Sequence, residues 1–262
     1  MAFAQSRRPI EGAVATLGVS DRITFLRKTY AHLGGALIAF ALFTGLIMKF
    51  ATGFSWGFSK WALSGRWNWL GVIVLFMIAG YVAERLARSN SSRGLQYAGL
   101  GLEVLAWSVL LQPVLWILML RFSAYSPVEV ALIKKGVMVP VMNGMAAEIL
   151  WQSVLVTLVI FAGLTLTVFL TKKDFSFLRG VLVIATFGAL GVILASAIFG
   201  FSLGIIFCGF MILLMAGYIL FQTSMVMRDF PPTAHVAAAL MLFSTVATLF
   251  WYVLQIFMSA RD

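Results

Sequence analysis

Charge is what this chain most obviously lacks. Only 11% of its 262 residues are Asp, Glu, Lys or Arg, where a soluble domain carries about a quarter. The hydrophobic share is 62%, more than one water-facing core can hide, so lipid has to cover the remainder. Cysteine is nearly absent too: Cys208 stands alone in an apolar run, which excludes an intramolecular disulfide framework and any cysteine-based metal cluster. His32 and His235 are isolated in sequence, and without a His-x-x-x-His pair no zinc site is expected. No Gly-x-Ser-x-Gly elbow occurs. The fragment Gly99-Leu-Gly101-Leu lacks the third glycine of a dinucleotide loop and reads as helix packing. The last apolar run contains no lysine for a retinal Schiff base. No catalytic residue, metal ligand or cofactor is identified, and the chain is read as non-enzymatic.

The charge that is present is basic, with a net +10. No basic stretch is interleaved with aromatics that stack on bases, so a nucleic-acid partner is not expected. Lys and Arg instead read as anchors for loops on the cytoplasmic side of a membrane. A cleavable signal peptide is not expected, because the first apolar run begins only after Lys28. Arg7–Arg8 leads into Pro9, Ile10 and Glu11 rather than an apolar core, which argues against a twin-arginine signal. Residues 1–28 read as a cytoplasmic tail, with a short interfacial helix over Ser20–Lys28.

Stretches free of Asp, Glu, Lys and Arg run 29–48, 67–83, 104–120, 149–171, 180–227 and 230–260. A span needs about 20 residues, so the 48-residue fifth stretch holds two, divided near Gly200–Gly204. The fold class is therefore all-α integral membrane protein, with seven transmembrane helices at 29–50, 67–88, 95–120, 147–171, 178–198, 203–226 and 235–258. They form one domain over 29–258, followed by a short tail, 259–262.

Asp174 is placed as a cap for the fifth helix, Pro113 as a kink in the third and Pro231–Pro232 as a break before the seventh. Trp56, Trp61, Trp67 and Trp69 suggest an interfacial belt. Ala31, Gly35 and Ala39 suggest a close helix–helix approach. Residues 121–146 form the longest connection and are expected to lie along the outer surface. Of the 19 Lys and Arg residues, 12 fall on the N-terminal side of this topology, which puts the N-terminus in the cytoplasm.

A few polar groups fall within or beside these spans. Glu103 lies about 12 Å into the third helix, where a carboxylate is costly and marks either a function or a structural pair with arginine. Glu84, Arg85 and Arg88 border the second helix, and either arginine is a candidate partner for Glu103. Gln222, Arg228 and Ser244 belong to helices six and seven, where neutral Gln and Ser bridge helices by hydrogen bonds. Glu148 reads as a favourable charge at a helix N-terminus.

Four stretches then carry a resemblance over roughly residues 22–262. Thr171-Lys-Lys-Asp-Phe-Ser-Phe-Leu-Arg-Gly180 resembles the loop between spans four and five of the Bax-inhibitor family. Arg27-Lys-Thr-Tyr30, Gln96-Tyr-Ala-Gly99 and Gly217-Tyr-Ile-Leu-Phe-Gln-Thr-Ser224 agree in order and spacing. The resemblance implies one bundle with helix seven central. For some members it implies a calcium or proton leak tuned by an aspartate on helix six and another on helix seven. Here Gln222 and Ser244 stand at or near those positions, so the titrating pair is missing. The pattern is also similar to a bacterial branch that restrains a membrane-bound ATP-dependent protease. The resulting expectation is a bacterial inner-membrane protein that works through partners in membrane-protein quality control. The alternative is a pH-dependent cation leak using Glu103, with Arg85 or Arg88.

Overall fold

The described residues form ten α-helices, most of them on the apolar stretches. They are α1 (Val19–Phe50), α2 (Thr52–Leu63), α3 (Arg66–Ala87), α4 (Arg93–Leu110), α5 (Gln112–Phe122), α6 (Pro127–Lys134), α7 (Gly144–Thr171), α8 (Leu178–Phe199), α9 (Ile205–Arg228) and α10 (His235–Ser259). The structure, a computed structural model, describes all residues except 1–12, 17, 90, 91, 136, 137, 139 and 262, so the Arg7–Arg8 segment and Asp262 lie outside the described residues. Among the described residues seven units are long and apolar enough to cross a membrane: α1, α3, α4 with α5, α7, α8, α9 and α10. The seven-helix fold expected from sequence is the fold observed. Within it, α4–α5 and α10 are the core, each with 72% of its apolar window buried, whereas α8 buries 11% and lies at the rim. Helix α10 packs against α1, α3, α4, α7 and α9 and is the central helix of the bundle.

The first helix is longer than hydropathy indicates. Its 32 residues extend about 48 Å, well beyond a hydrocarbon core of about 30 Å. Ser20–Lys28 forms its first turns rather than a separate interfacial helix, because Arg22, Arg27 and Lys28 interrupt hydropathy without interrupting a backbone helix. Just before it, a 3-10 turn at Val14–Thr16 docks on the α9–α10 loop, where the Val14 N–H donates to the Phe230 carbonyl at 2.9 Å.

The third span is interrupted at Leu111, where Pro113 in the first turn of α5 removes a hydrogen bond from the ladder, while Leu111 itself keeps right-handed helical angles and α4 and α5 cross as one span. Gln112 secures the break. Its Nε2 donates to the Ser108 carbonyl at 2.9 Å and the Thr44 carbonyl at 3.3 Å, and its Oε1 accepts from Ser55 Oγ at 2.7 Å. Trp116 Nε1 in turn donates to Ser55 Oγ at 2.8 Å. This buried node ties α2 to α5 and divides the tryptophan cluster. Trp56 packs inward on Trp116 and Trp69 stacks on Trp251, whereas Trp61 and Trp67 remain exposed. Only the latter two have the position of a belt.

Connections follow local chemistry. Gly200 ends α8 at φ +80°, in the left-handed region glycine favours, and Arg66 Nη1 donates to the Ile198 carbonyl there at 3.2 Å. The long connection contains α6, started by a capping box in which Ser126 and Glu129 exchange hydrogen bonds. The Ser126 backbone N–H, with its hydroxyl, holds the Glu129 carboxyl below the usual carboxylate range. Asp174 does not cap α8, which begins at Leu178 with no side-chain cap. Its Oδ1 accepts from the Ser176 N–H at 2.9 Å, and its Oδ2 pairs with Arg228, fastening the α7–α8 loop to the end of α9. Partial burial pushes this carboxyl up, but the Ser176 and Arg228 contacts outweigh it and hold the group below its ordinary value.

Close approach occurs at Gly99 and not at the Ala31–Ala39 ridge. Ala31 and Gly35 are exposed and, with Ala39, line an open groove between α1 and α4. At Gly99, in contrast, an added Cβ would lie 2.5 Å from the Ala83 carbonyl oxygen and 2.6 Å from the Ala87 nitrogen. Gly99→Ala is expected to destabilise the bundle by about 1–3 kcal/mol through overpacking of α3 on α4. Gly101→Ala, with nothing within 4 Å, should be neutral or slightly stabilising. Thermal unfolding in detergent micelles measures both; equal effects would contradict the α3–α4 crossing.

Candidate functional site

Glu103 lies ten residues past the start of α4, and only 3% of its surface is exposed. Its Oε1 accepts two hydrogen bonds. One comes from Trp107 Nε1, one turn along the same helix, at 3.1 Å. The other is a close contact from Ser244 Oγ on α10. Its Oε2 is buried without a partner among the described residues. That oxygen faces Gly80 on α3, where an added Cβ would sit 3.6 Å away. The carboxyl therefore occupies the junction of α3, α4 and α10, and only one of its oxygens is satisfied.

Arginine does not supply the second partner. Arg88 pairs with Glu84 at 2.8 Å, one turn apart on α3, with both side chains about half exposed. Arg85 turns back onto its own helix, donating from Nε to Tyr81 Oη at 3.0 Å and covering the Tyr81 ring at 5.2 Å. The Glu103–arginine pair proposed from sequence is thus replaced by a Glu103–Ser244 link. The physical reason is helix phase: Gly80, Ala83 and Ala87 form the α3 face that packs on α4, so Arg85 and Arg88 leave in other directions.

Gln222 is buried on α9, and its Oε1 accepts from Thr245 Oγ1 at 2.8 Å. Its partner on α10 is therefore Thr245 and not Ser244. Residues 244 and 245 are consecutive on a helix, so their side chains diverge by about 100°. Ser244 reaches α4 and Thr245 reaches α9. The same two residues border a cavity of about 210 Å³ between α8, α9 and α10, which Thr186, Tyr218 and Thr248 also line. Thr186 and Tyr218 are hydrogen-bonded to each other at 2.8 Å.

Two groups that sequence reading separated are brought together. His32 and His235 place their ring centroids 5.0 Å apart at the N-terminal end of the bundle, with Tyr97 stacked on His32. Both His32 nitrogens are engaged, one with the Lys28 carbonyl at 2.6 Å and the other with Tyr97 Oη at 3.0 Å. Among the described residues no three His, Cys, Asp or Glu side chains gather into a metal site. Glu148 pairs with Arg261 at 3.2 Å, joining the C-terminal residues to the start of α7. Sequence reading missed Trp107 and Thr245. The i,i+4 spacing of Glu103 and Trp107 was a usable signal, whereas nothing in sequence distinguished Thr245 from Ser244 as the neighbour of Gln222.

Gln222→Ala and Thr245→Val should couple by about 0.6–1.7 kcal/mol in a double-mutant cycle on unfolding in detergent, the range for hydrogen bonds between helices in membranes. Gln222→Ala with Ser244→Ala should show coupling near zero. The reverse pattern would contradict the assignment of partners.

Comparison with known proteins locates the chain among relatives. Residues 22–262 match the family model described as inhibitor of apoptosis-promoting Bax1. Bax inhibitor 1 of Schizosaccharomyces pombe is 28% identical over 248 residues, 93% of this chain and 79% of that protein. An uncharacterised protein of Pseudomonas aeruginosa is 32% identical over 107 residues, 38% of this chain and 46% of that protein.

Proposed function

This chain belongs to the Bax-inhibitor family, and from that premise we propose that it is a non-enzymatic membrane protein that acts by binding partners. The partner class is a membrane-bound ATP-dependent protease, and the process is membrane-protein quality control in a bacterial inner membrane. The N-terminus faces the cytoplasm, in keeping with the distribution of Lys and Arg.

One observation carries this reading. At the polar centre of the bundle, neutral Gln222 is hydrogen-bonded across helices to Thr245 where the family resemblance leads one to look for titrating aspartates. Gln and Thr neither exchange protons near neutral pH nor supply the paired anionic oxygens that calcium favours. The loss of that titrating pair supports a role exercised through the outer surface.

A second reading has its own support. Glu103 Oε2 is buried and unpartnered, and an intramembrane carboxyl is the usual component of a proton or cation path. In that reading the chain is a pH-dependent calcium or proton leak, and Glu103 is its titrating group.

Two measurements on the full chain separate the readings. With the chain and its candidate protease co-reconstituted, the partner-binding reading predicts crosslinks between them and proteolysis of a membrane substrate slowed severalfold. No crosslink above an unrelated seven-helix control, with unchanged proteolysis, would contradict it. Proton and calcium flux into vesicles containing the chain alone tests the leak. Flux that changes with pH in the wild type and is lost in Glu103→Gln supports it, and flux equal to that of empty vesicles removes it.

A further inference from the structure

A large cavity lies away from Glu103, in the half of the bundle bearing the C-terminus. It has a volume of about 720 Å³ and separates α1 from α7, with α10 as its floor and α5 at one side. Tyr30 on α1 bridges to Phe161 and Phe169 on α7 towards the other end. Beyond that bridge the two helices splay, each still resting on α10. Ile38 and Leu158 line the opening and are 64% and 46% exposed, so the cleft faces sideways into the hydrocarbon layer.

Its walls are apolar apart from Thr44, Lys49 and Thr157, and the first two of these point to a ligand. Thr44 lines the cleft and is 7% exposed, yet its hydroxyl has no partner among the described residues. A helical threonine ordinarily satisfies that hydroxyl on the carbonyl one turn back, as Thr157 does across the cleft on Ser153 at 2.7 Å. An unpaired hydroxyl in hydrocarbon is costly, and an acceptor on a bound molecule would relieve it once the Thr44 side chain turns its shielded oxygen towards the cleft. Lys49 is the second exception, lining the same cleft in the last turn of α1. It lies five residues beyond Thr44, about 7.5 Å along the axis. At that mouth the Val141 backbone is bonded to Tyr125 Oη through both its N–H and its carbonyl, which fixes the loop before α7.

We propose that this cleft holds one anionic phospholipid drawn from the surrounding bilayer. The phosphate sits at Lys49, an ester carbonyl accepts from the Thr44 hydroxyl, and an acyl chain fills the space between α1 and α7. The order of groups along the cleft, cation then hydroxyl then apolar wall, is the order of groups along such a lipid. The volume falls within the range of about 300–1,000 Å³ typical of ligand cavities. This inference is independent of whether the chain binds a protease or conducts ions.

The test places the full chain in phosphatidylcholine vesicles containing a minor fraction of phosphatidylglycerol with a photoactivatable acyl chain, and maps the adducts by mass spectrometry. Adducts are expected on the cleft faces of α1 and α7 in preference to the rim helix α8. Ala41→Trp, at an exposed cleft position, should remove them by filling the space. Thr44→Val should reduce them about fivefold, the effect of one lost hydrogen bond. Lys49→Gln should abolish the preference for phosphatidylglycerol over an equally labelled phosphatidylcholine. Circular dichroism and elution as a single species establish that each variant is folded, and Thr44→Val, nearly isosteric, keeps the test available if Ala41→Trp does not fold. Adducts distributed evenly around the bundle and unchanged in the folded variants would overturn the proposal. So would crosslinking of a second copy of the chain at the cleft in place of lipid.

Discussion

The bundle depends on how α10 is held inside a medium that offers no water. In hydrocarbon the hydrophobic effect does not drive one helix against another, because lipid tails are as apolar as leucine. Packing and interhelical hydrogen bonds must do so. Ser244 and Thr245 supply two such bonds from adjacent positions, one to Glu103 on α4 and one to Gln222 on α9. Because consecutive helical residues diverge by about 100°, the pair fixes both the rotation of α10 and its depth. A rotation that improved one contact would break the other.

This constraint organises what surrounds it. The close crossing of α3 on α4 at Gly99 places Gly80 beside Glu103 Oε2, where an added Cβ would just reach van der Waals contact. The break at Leu111 and the Gln112–Ser55–Trp116 node hold α4–α5 and α2 in position farther along the bundle. The periphery is looser by comparison. Helix α8 lies mostly against lipid, and α1 and α7 separate enough to leave the cleft beside Thr44.

Much of the architecture was legible in the sequence because spans are bounded by charge. Lys28, Lys49, Arg66, Glu84, Glu148, Arg228 and Arg261 lie at or near breaks between apolar runs, with Gly200–Gly204 marking the one division that carries no charge, and six of the seven spans begin and end within a few residues of the bounds read from the sequence. Where the reading failed, it failed on geometry that hydropathy does not encode. The first turns of α1 carry Arg22, Arg27 and Lys28, so a helix rising out of the membrane looked like a separate segment. The partners of Glu103 and Gln222 depend on helix phase across three different helices. Proximity in sequence favoured Arg85 and Arg88, but packing turned them outward. His32 and His235, separated by nearly the whole chain, meet only because α1 packs on the first turn of α10.

The family relationship and the local geometry answer different questions. The first identifies the bundle; the second shows that its central contacts here are Glu103–Ser244 and Gln222–Thr245. The most direct test of that account is hydrogen exchange along α10 in lipid nanodiscs, comparing the wild type with the double variant Ser244→Ala, Thr245→Val. The account predicts faster exchange in the middle of α10 and at its α4 and α9 contacts, with α8 unchanged. Unaltered protection along α10, or an equal rise in every span, would contradict it.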